Sequence, residues 1–76
     1  MKTLGRVNGI ISNIVIAKVD GPVGQNEICH VYCGDVRMMA EVIKVIGDEA
    51  YVQVYDSTRG LMIGDKVEFE GHMLEA

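Results

Sequence analysis

The chain has 76 residues and a mass of 8.3 kDa. That is one small domain, able to bury about 60% of its unfolded surface and too short for a catalytic and a regulatory unit side by side. Hydrophobic residues make up 49% and charged residues 24%, which excludes a disordered tail; eleven acids against seven bases leave a net charge of −4, which argues against nucleic acid and anionic membrane surfaces, both of which select clustered Lys and Arg. Nine glycines, one Phe and no Trp predict an aliphatic core in a chain of many turns.

Turn signals fall at short intervals: Asn8-Gly9, Asp20-Gly21-Pro22, Gly34-Asp35, Gly47-Asp48, Gly60, Gly64-Asp65 and Gly71. The Val- and Ile-rich segments between them read as short strands. The first is predicted over residues 3–8. The second covers 10–19, with Ile14 and Ile16 on one face and Val15, Ala17 and Val19 on the other. A third covers 26–33. Residues 36–46 could begin as a helix at Met38-Met39-Ala40-Glu41, but the β-branched run Val42-Ile43-Lys44-Val45-Ile46 selects a strand. Residues 50–55 alternate strictly, placing Ala50, Val52 and Val54 inside and Tyr51, Gln53 and Tyr55 on the outer wall. Gly47-Asp48 joins the last two into a hairpin over 40–55. Gly60 and Gly64 mark two tight turns around a short strand, and the final strand covers 66–70. The expected fold is all-β, a small closed antiparallel β-barrel of about six strands, because closure removes edges that invite aggregation.

No apolar run approaches the ~18 residues of a membrane span, and Met1-Lys2-Thr3-Leu4-Gly5-Arg6 leads into no signal-peptide pattern. The expected compartment is the cytoplasm, where Cys29 and Cys33 stay reduced. On a strand these two lie roughly 13 Å apart on one face, too far for a disulfide or a shared zinc. His30 points to the other face, and His72 matches no ligand spacing, so no metal site is expected. The stretch Gly60 to Lys66 is not a phosphate-binding loop: three residues separate its glycines where four are needed, and Asp65 would oppose a phosphate. Ser12 and Ser57 have no neighbouring His in sequence. The acids Asp20, Glu27, Asp35, Asp48, Asp56 and Asp65 read as solvated turn carboxylates. Catalytic and cofactor-binding residues are therefore expected to be none. Asp56-Ser57-Thr58-Arg59-Gly60-Leu61 admits two readings: a turn capped by its own side chains, or a subunit contact through Arg59.

One long stretch carries a resemblance. Gly47-Asp48-Glu49-Ala50-Tyr51-Val52-Gln53-Val54-Tyr55-Asp56-Ser57-Thr58-Arg59-Gly60-Leu61, followed by Gly64-Asp65-Lys66-Val67, resembles the N-terminal β-barrel domain of rotary ATPases. Glu41-Val42-Ile43-Lys44-Val45 is similar to the strand before it, with Ala40 where glycine is common. Gly5-Arg6-Val7-Asn8-Gly9 is similar to the opening motif, and Asn26-Glu27 to the start of the third strand. Ile10 departs from the pattern, which often has proline there. Among these enzymes the chain most resembles catalytic A subunits (alpha chains) of V/A-type ATP synthases of the bacterial V-type.

The resemblance implies that residues 1–76 are one barrel (crown) domain excised from a longer subunit. The P-loop, catalytic carboxylate and arginine finger, with bound ATP and Mg, would lie in later domains. The barrel would join neighbouring A and B subunits in a six-membered crown, at the cytoplasmic surface of a membrane but not inserted in it. The parent complex would couple ATP hydrolysis or synthesis to proton or sodium transport. Tyr51, Tyr55 and Arg59, with the outer apolar residues, are the expected subunit contacts. The alternatives are the equivalent barrel of a B subunit or another rotary ATPase, or a free-standing β-barrel binding module. For nucleic acid the bases Lys2, Arg6, Lys18, Arg37, Lys44, Arg59 and Lys66 are too scattered among acids.

Overall fold

A computed structural model, describing the backbone of residues 3–73 and the side chains of residues 3–71, contains six strands: β1 (Thr3–Ile11), β2 (Ile14–Val19), β3 (Glu27–Cys33), β4 (Val36–Ile46), β5 (Glu49–Val54) and β6 (Lys66–Met73). They close into a barrel in the order β1-β2-β5-β4-β3-β6, every neighbouring pair antiparallel. β6 returns to β1, with Thr3 opposite Phe69 and Arg6 opposite Lys66, so no strand is left with an open edge.

The barrel is narrow, and its filling follows from alternation. Ala50, Val52 and Val54 point inward from β5 and are buried; so are Val15 and Ala17 of β2, with Ala17 directly opposite Ala50. Small residues here leave room for Phe69, the chain's one phenylalanine, which is fully buried. Each fully buried valine stabilises the fold by about 1.5–3 kcal/mol relative to exposure. Gly5 permits close approach of β1 to β2: a Cβ there would stand 2.8 Å from the Lys18 carbonyl and 3.3 Å from the Phe69 ring.

The hairpin turns at Gly34-Asp35 and Gly47-Asp48 form as expected, their glycines at φ 60° and 61°. Two expected turns do not. Asn8-Gly9 lies inside β1, where a bulge between Val7 and Gly9 absorbs it. Gly9 faces Ile16, whose Cδ1 would be in ordinary contact, at 3.4 Å, with a Cβ there. The chain instead reverses at Ser12-Asn13, with Ser12 at φ 55°, so residues 10–19 divide between two strands. Gly71 does not end β6; it sits at φ 85° among the extra residues of β6 where its register with β3 shifts, and the strand runs to Met73. Between the turns at Arg59-Gly60 and Ile63-Gly64 no strand forms. Leu61 turns inward there and joins the core.

Candidate subunit-contact surface

The outer wall is built mainly by β4 and β5. Register sets Glu41 opposite Gln53 and Lys44 opposite Tyr51, and the Lys44 ammonium lies 4.8 Å from the Tyr51 ring centre. Tyr55 follows directly after β5. Its N–H donates to the Met39 carbonyl at 3.1 Å and its hydroxyl donates a short hydrogen bond to the Glu41 carboxylate. That bond holds the phenolic proton and, with slight burial and the nearby negative charge, raises the Tyr55 pKa above the ordinary tyrosine value. Met39, Ile43 and Val45 remain exposed on β4. A bulge between Val42 and Lys44 inserts Ile43 as an extra residue in the wall.

The structure thus brings Tyr51 and Tyr55 onto one outer wall beside Glu41. Arg59 is not part of that wall. It lies in the β5–β6 connection, which is a capped turn: Asp56 accepts the Ser57 N–H at 2.8 Å, and the Ser57 hydroxyl oxygen accepts the Arg59 N–H at 3.1 Å. Thr58 donates its hydroxyl to the Ser12 carbonyl at 2.7 Å, tying this turn to the β1–β2 turn. The Arg59 side chain is exposed.

The opposite wall carries a feature that the linear spacing of the bases hid. Across β2, β1 and β6, Lys18, Arg6 and Lys66 lie in one row, each facing the next in register. Like charges side by side are unfavourable, and local partners offset them. Lys18 is 3.8 Å from Asp48, Lys66 lies 4.8 Å from the Tyr32 ring centre, and Arg6 reaches the Gly64 carbonyl at 3.4 Å. A cleft of about 420 Å³ opens beside the row, lined by these three with Leu4, Gly5, Val19 and Asp20. Lys2 lies outside the described residues.

Glu27 corrects the expectation of solvated turn acids. It is 9% exposed, and its two oxygens accept the Gly24 N–H at 2.9 Å and the Gly71 N–H at 2.8 Å. It thereby fastens the β2–β3 loop to the far end of β6. Asp20 and Asp65 are also engaged with backbone, accepting from Leu4 at 3.1 Å and Met62 at 2.9 Å.

Cys29 is fully buried, and burial first, then the nearby Glu27 and Glu70 charges, push its thiol up to about 12. Cys33 is half-buried against the core. His30 turns outward and meets Glu70 at 2.9 Å. The His72 side chain lies outside the described residues. Among the described residues, no group of three or more His, Cys, Asp or Glu side chains converges as metal ligands would.

The ATP synthase alpha/beta family, beta-barrel domain, matches residues 7–71. The V-type ATP synthase alpha chain 1 of Treponema pallidum (strain Nichols) is 42% identical over 73 residues, which is 96% of this chain and 12% of the relative. The V-type ATP synthase alpha chain of Borreliella afzelii (strain PKo) is 42% identical over 74 residues, 97% of this chain and 13% of the relative. That of Chlamydia trachomatis serovar D is likewise 42% identical over 97% of this chain and 12% of the relative. The chain therefore spans about an eighth of the length of these curated relatives.

Proposed function

Since the chain belongs to the ATP synthase alpha/beta family as its β-barrel domain, we propose that it helps assemble the catalytic head of a V-type rotary ATP synthase. The observation that carries this reading is the family match over residues 7–71 combined with 42% identity to V-type alpha chains across nearly the whole sequence. In this reading the barrel belongs to a catalytic A subunit and packs between neighbouring A and B subunits of a hexamer. ATP and Mg bind in other domains of the parent subunit. The complex couples ATP turnover to proton or sodium movement, with the head on the cytoplasmic side of the membrane. A closed barrel suits the task. Each strand is hydrogen-bonded on both sides, so the domain keeps its shape while attached domains open and close.

Tyr51, Tyr55 and Arg59 are the proposed contact residues. The test is native mass spectrometry of the head purified from full-length subunits, wild type against Tyr55→Asp with Arg59→Glu. The expected result is a six-subunit head for wild type and mostly free subunits for the variant. An intact, fully active variant head counts against these contacts. A wild-type subunit that joins no head defeats the functional reading itself.

A further inference from the structure

Lys18 stands beside Arg6 and Arg6 beside Lys66 across β2, β1 and β6. Adjacent strands lie about 4.8 Å apart, so the backbone positions of this row span about 10 Å. Among the described residues, neither Arg6 nor Lys66 forms an ion pair with a carboxylate. Arg6 reaches the neutral Gly64 carbonyl at 3.4 Å, and Lys66 lies over the Tyr32 ring. Lys18 has Asp48 at 3.8 Å, but both side chains are 64% exposed and water screens such a pair. An anion over Arg6 relieves a repulsion that the fold leaves standing.

The cleft that these cations line also has an apolar side. Leu4 precedes Arg6 by two residues on the outer face of β1, and Val19 follows Lys18 at the end of β2. Its volume of about 420 Å³ exceeds the ~150 Å³ that accommodates benzene, which leaves space for a charged group beside an apolar body. Two acids stand on the Leu4 side. Asp20 accepts the Leu4 N–H at 3.1 Å, and Glu68, opposite Leu4 in register, accepts from the Tyr32 hydroxyl at 3.1 Å. They fix an orientation: negative charge is favoured at Arg6 and disfavoured towards Leu4, where only an uncharged body fits.

We propose that this cleft binds a phosphate monoester carrying an uncharged apolar body. The phosphate lies over Arg6, whose planar fork matches two phosphate oxygens, and Lys18 and Lys66 act as point charges from either side. The apolar body rests on Leu4 and Val19. Three terminal oxygens serve three cations, whereas a carboxylate supplies two, and a dicarboxylate brings its second charge against Asp20 and Glu68. The inference is separate from the assembly role above, which uses other residues.

Every strand finds both neighbours within the chain, so the barrel itself is the sample. Titration with phenyl phosphate, followed by amide NMR, is expected to shift Leu4, Gly5, Val19 and Lys66 together and to saturate. Inorganic phosphate should bind there several-fold more weakly, and uncharged phenol more weakly still. Arg6→Gln should weaken phenyl phosphate several-fold. Leu4→Ser should do the same while leaving inorganic phosphate unaffected. Both replaced side chains are exposed, so the fold is kept. Lys44→Gln, on the β4 wall, should change nothing. Equal affinity for phenyl phosphate and inorganic phosphate marks an adventitious ion only and overturns the inference. So do shifts centred away from β1, or binding that survives Arg6→Gln. Vesicles separate the two sources of such an ester. Sedimentation with phosphatidylcholine vesicles containing phosphatidic acid, and not with phosphatidylcholine alone, supports the site with a lipid headgroup as its ligand. A phenyl phosphate response without sedimentation supports it with a soluble ester.

Discussion

One oxygen of Glu27 accepts the backbone N–H of Gly71 at one rim of the barrel, at 2.8 Å, while its other oxygen accepts that of Gly24. A single carboxylate thus satisfies two amide donors from segments far apart in sequence. Glu27→Ala removes both acceptors. A buried donor left without a partner costs about 1–3 kcal/mol, so a loss of about 2–4 kcal/mol is expected, given that the rim is not fully dry. Urea unfolding reads this directly. Glu27→Gln, which keeps one acceptor oxygen, should fall between wild type and Ala.

Gly5→Ala is expected to destabilise the barrel even though alanine adds one methyl group. The new Cβ would meet the Lys18 carbonyl at 2.8 Å, and backbone cannot swing aside as a flexible side chain can. Overpacking of this kind costs about 1–3 kcal/mol. The thermal midpoint should drop, with amide exchange accelerating first along β1 and β2. An alanine variant with the wild-type midpoint would show that the β1–β2 approach is looser than described.

Cys29 is expected to destabilise the barrel as the medium becomes alkaline. Its folded pKa is raised to about 12, above the unfolded value near 9. Folding therefore favours the protonated thiol, and this contribution is fully present below about pH 9. It declines as pH rises from there towards 12, because the unfolded chain releases the proton more readily. Urea midpoints measured on both sides of pH 9 should fall more steeply for wild type than for Cys29→Ala. Thiol labelling gives a second check: Cys33 reacts in the folded barrel, and Cys29 reacts only on unfolding.

The bond from Tyr55 to Glu41 should appear in the ultraviolet titration of the three tyrosines. Tyr55 ionises above the ordinary tyrosine range because its proton is engaged and a carboxylate lies beside it. Glu41→Ala removes both causes, and the retarded part of the tyrosinate signal should move back to lower pH. In wild type the bond's contribution is intact below the ordinary tyrosine pKa and is lost as pH climbs past the raised one. Identical titrations of the two proteins would mean that the bond does not persist in solution.

Much of this barrel was legible in the sequence where the deciding interactions are local. The 40–55 hairpin could be read because Gly47-Asp48 supplies its turn, and because Ala50, Val52 and Val54 alternate with Tyr51, Gln53 and Tyr55. Asn8-Gly9 misled for the opposite reason. Its dipeptide signal is strong, but the β1–β2 pairing runs through it by way of a bulge at Asn8, and the reversal falls at Ser12. Gly71 and Glu27 were opaque for a related cause: each makes sense only through the other, 44 residues away. The row of Lys18, Arg6 and Lys66 was hidden likewise, because cross-strand register sets it and sequence spacing does not. On the candidate surface, alternation sufficed to place Tyr51 and Tyr55 on one wall. It could not separate Arg59 from them, since the capped turn that carries it away is irregular.

The pairing of β1 with β6 has a kinetic consequence. Thr3 lies against Phe69, so the first strand of the chain is completed on its second side only by the last. During synthesis β1 emerges well before β6, and its second flank stays unsatisfied until β6 follows. Long-range closure of this type makes folding slow for a chain of its length and nearly all-or-none. Opening the seam uncovers Phe69 and Val67 together, so the barrel comes apart as jointly as it closes. One stitch between the two ends of the barrel's sequence thus governs both its closing and its opening.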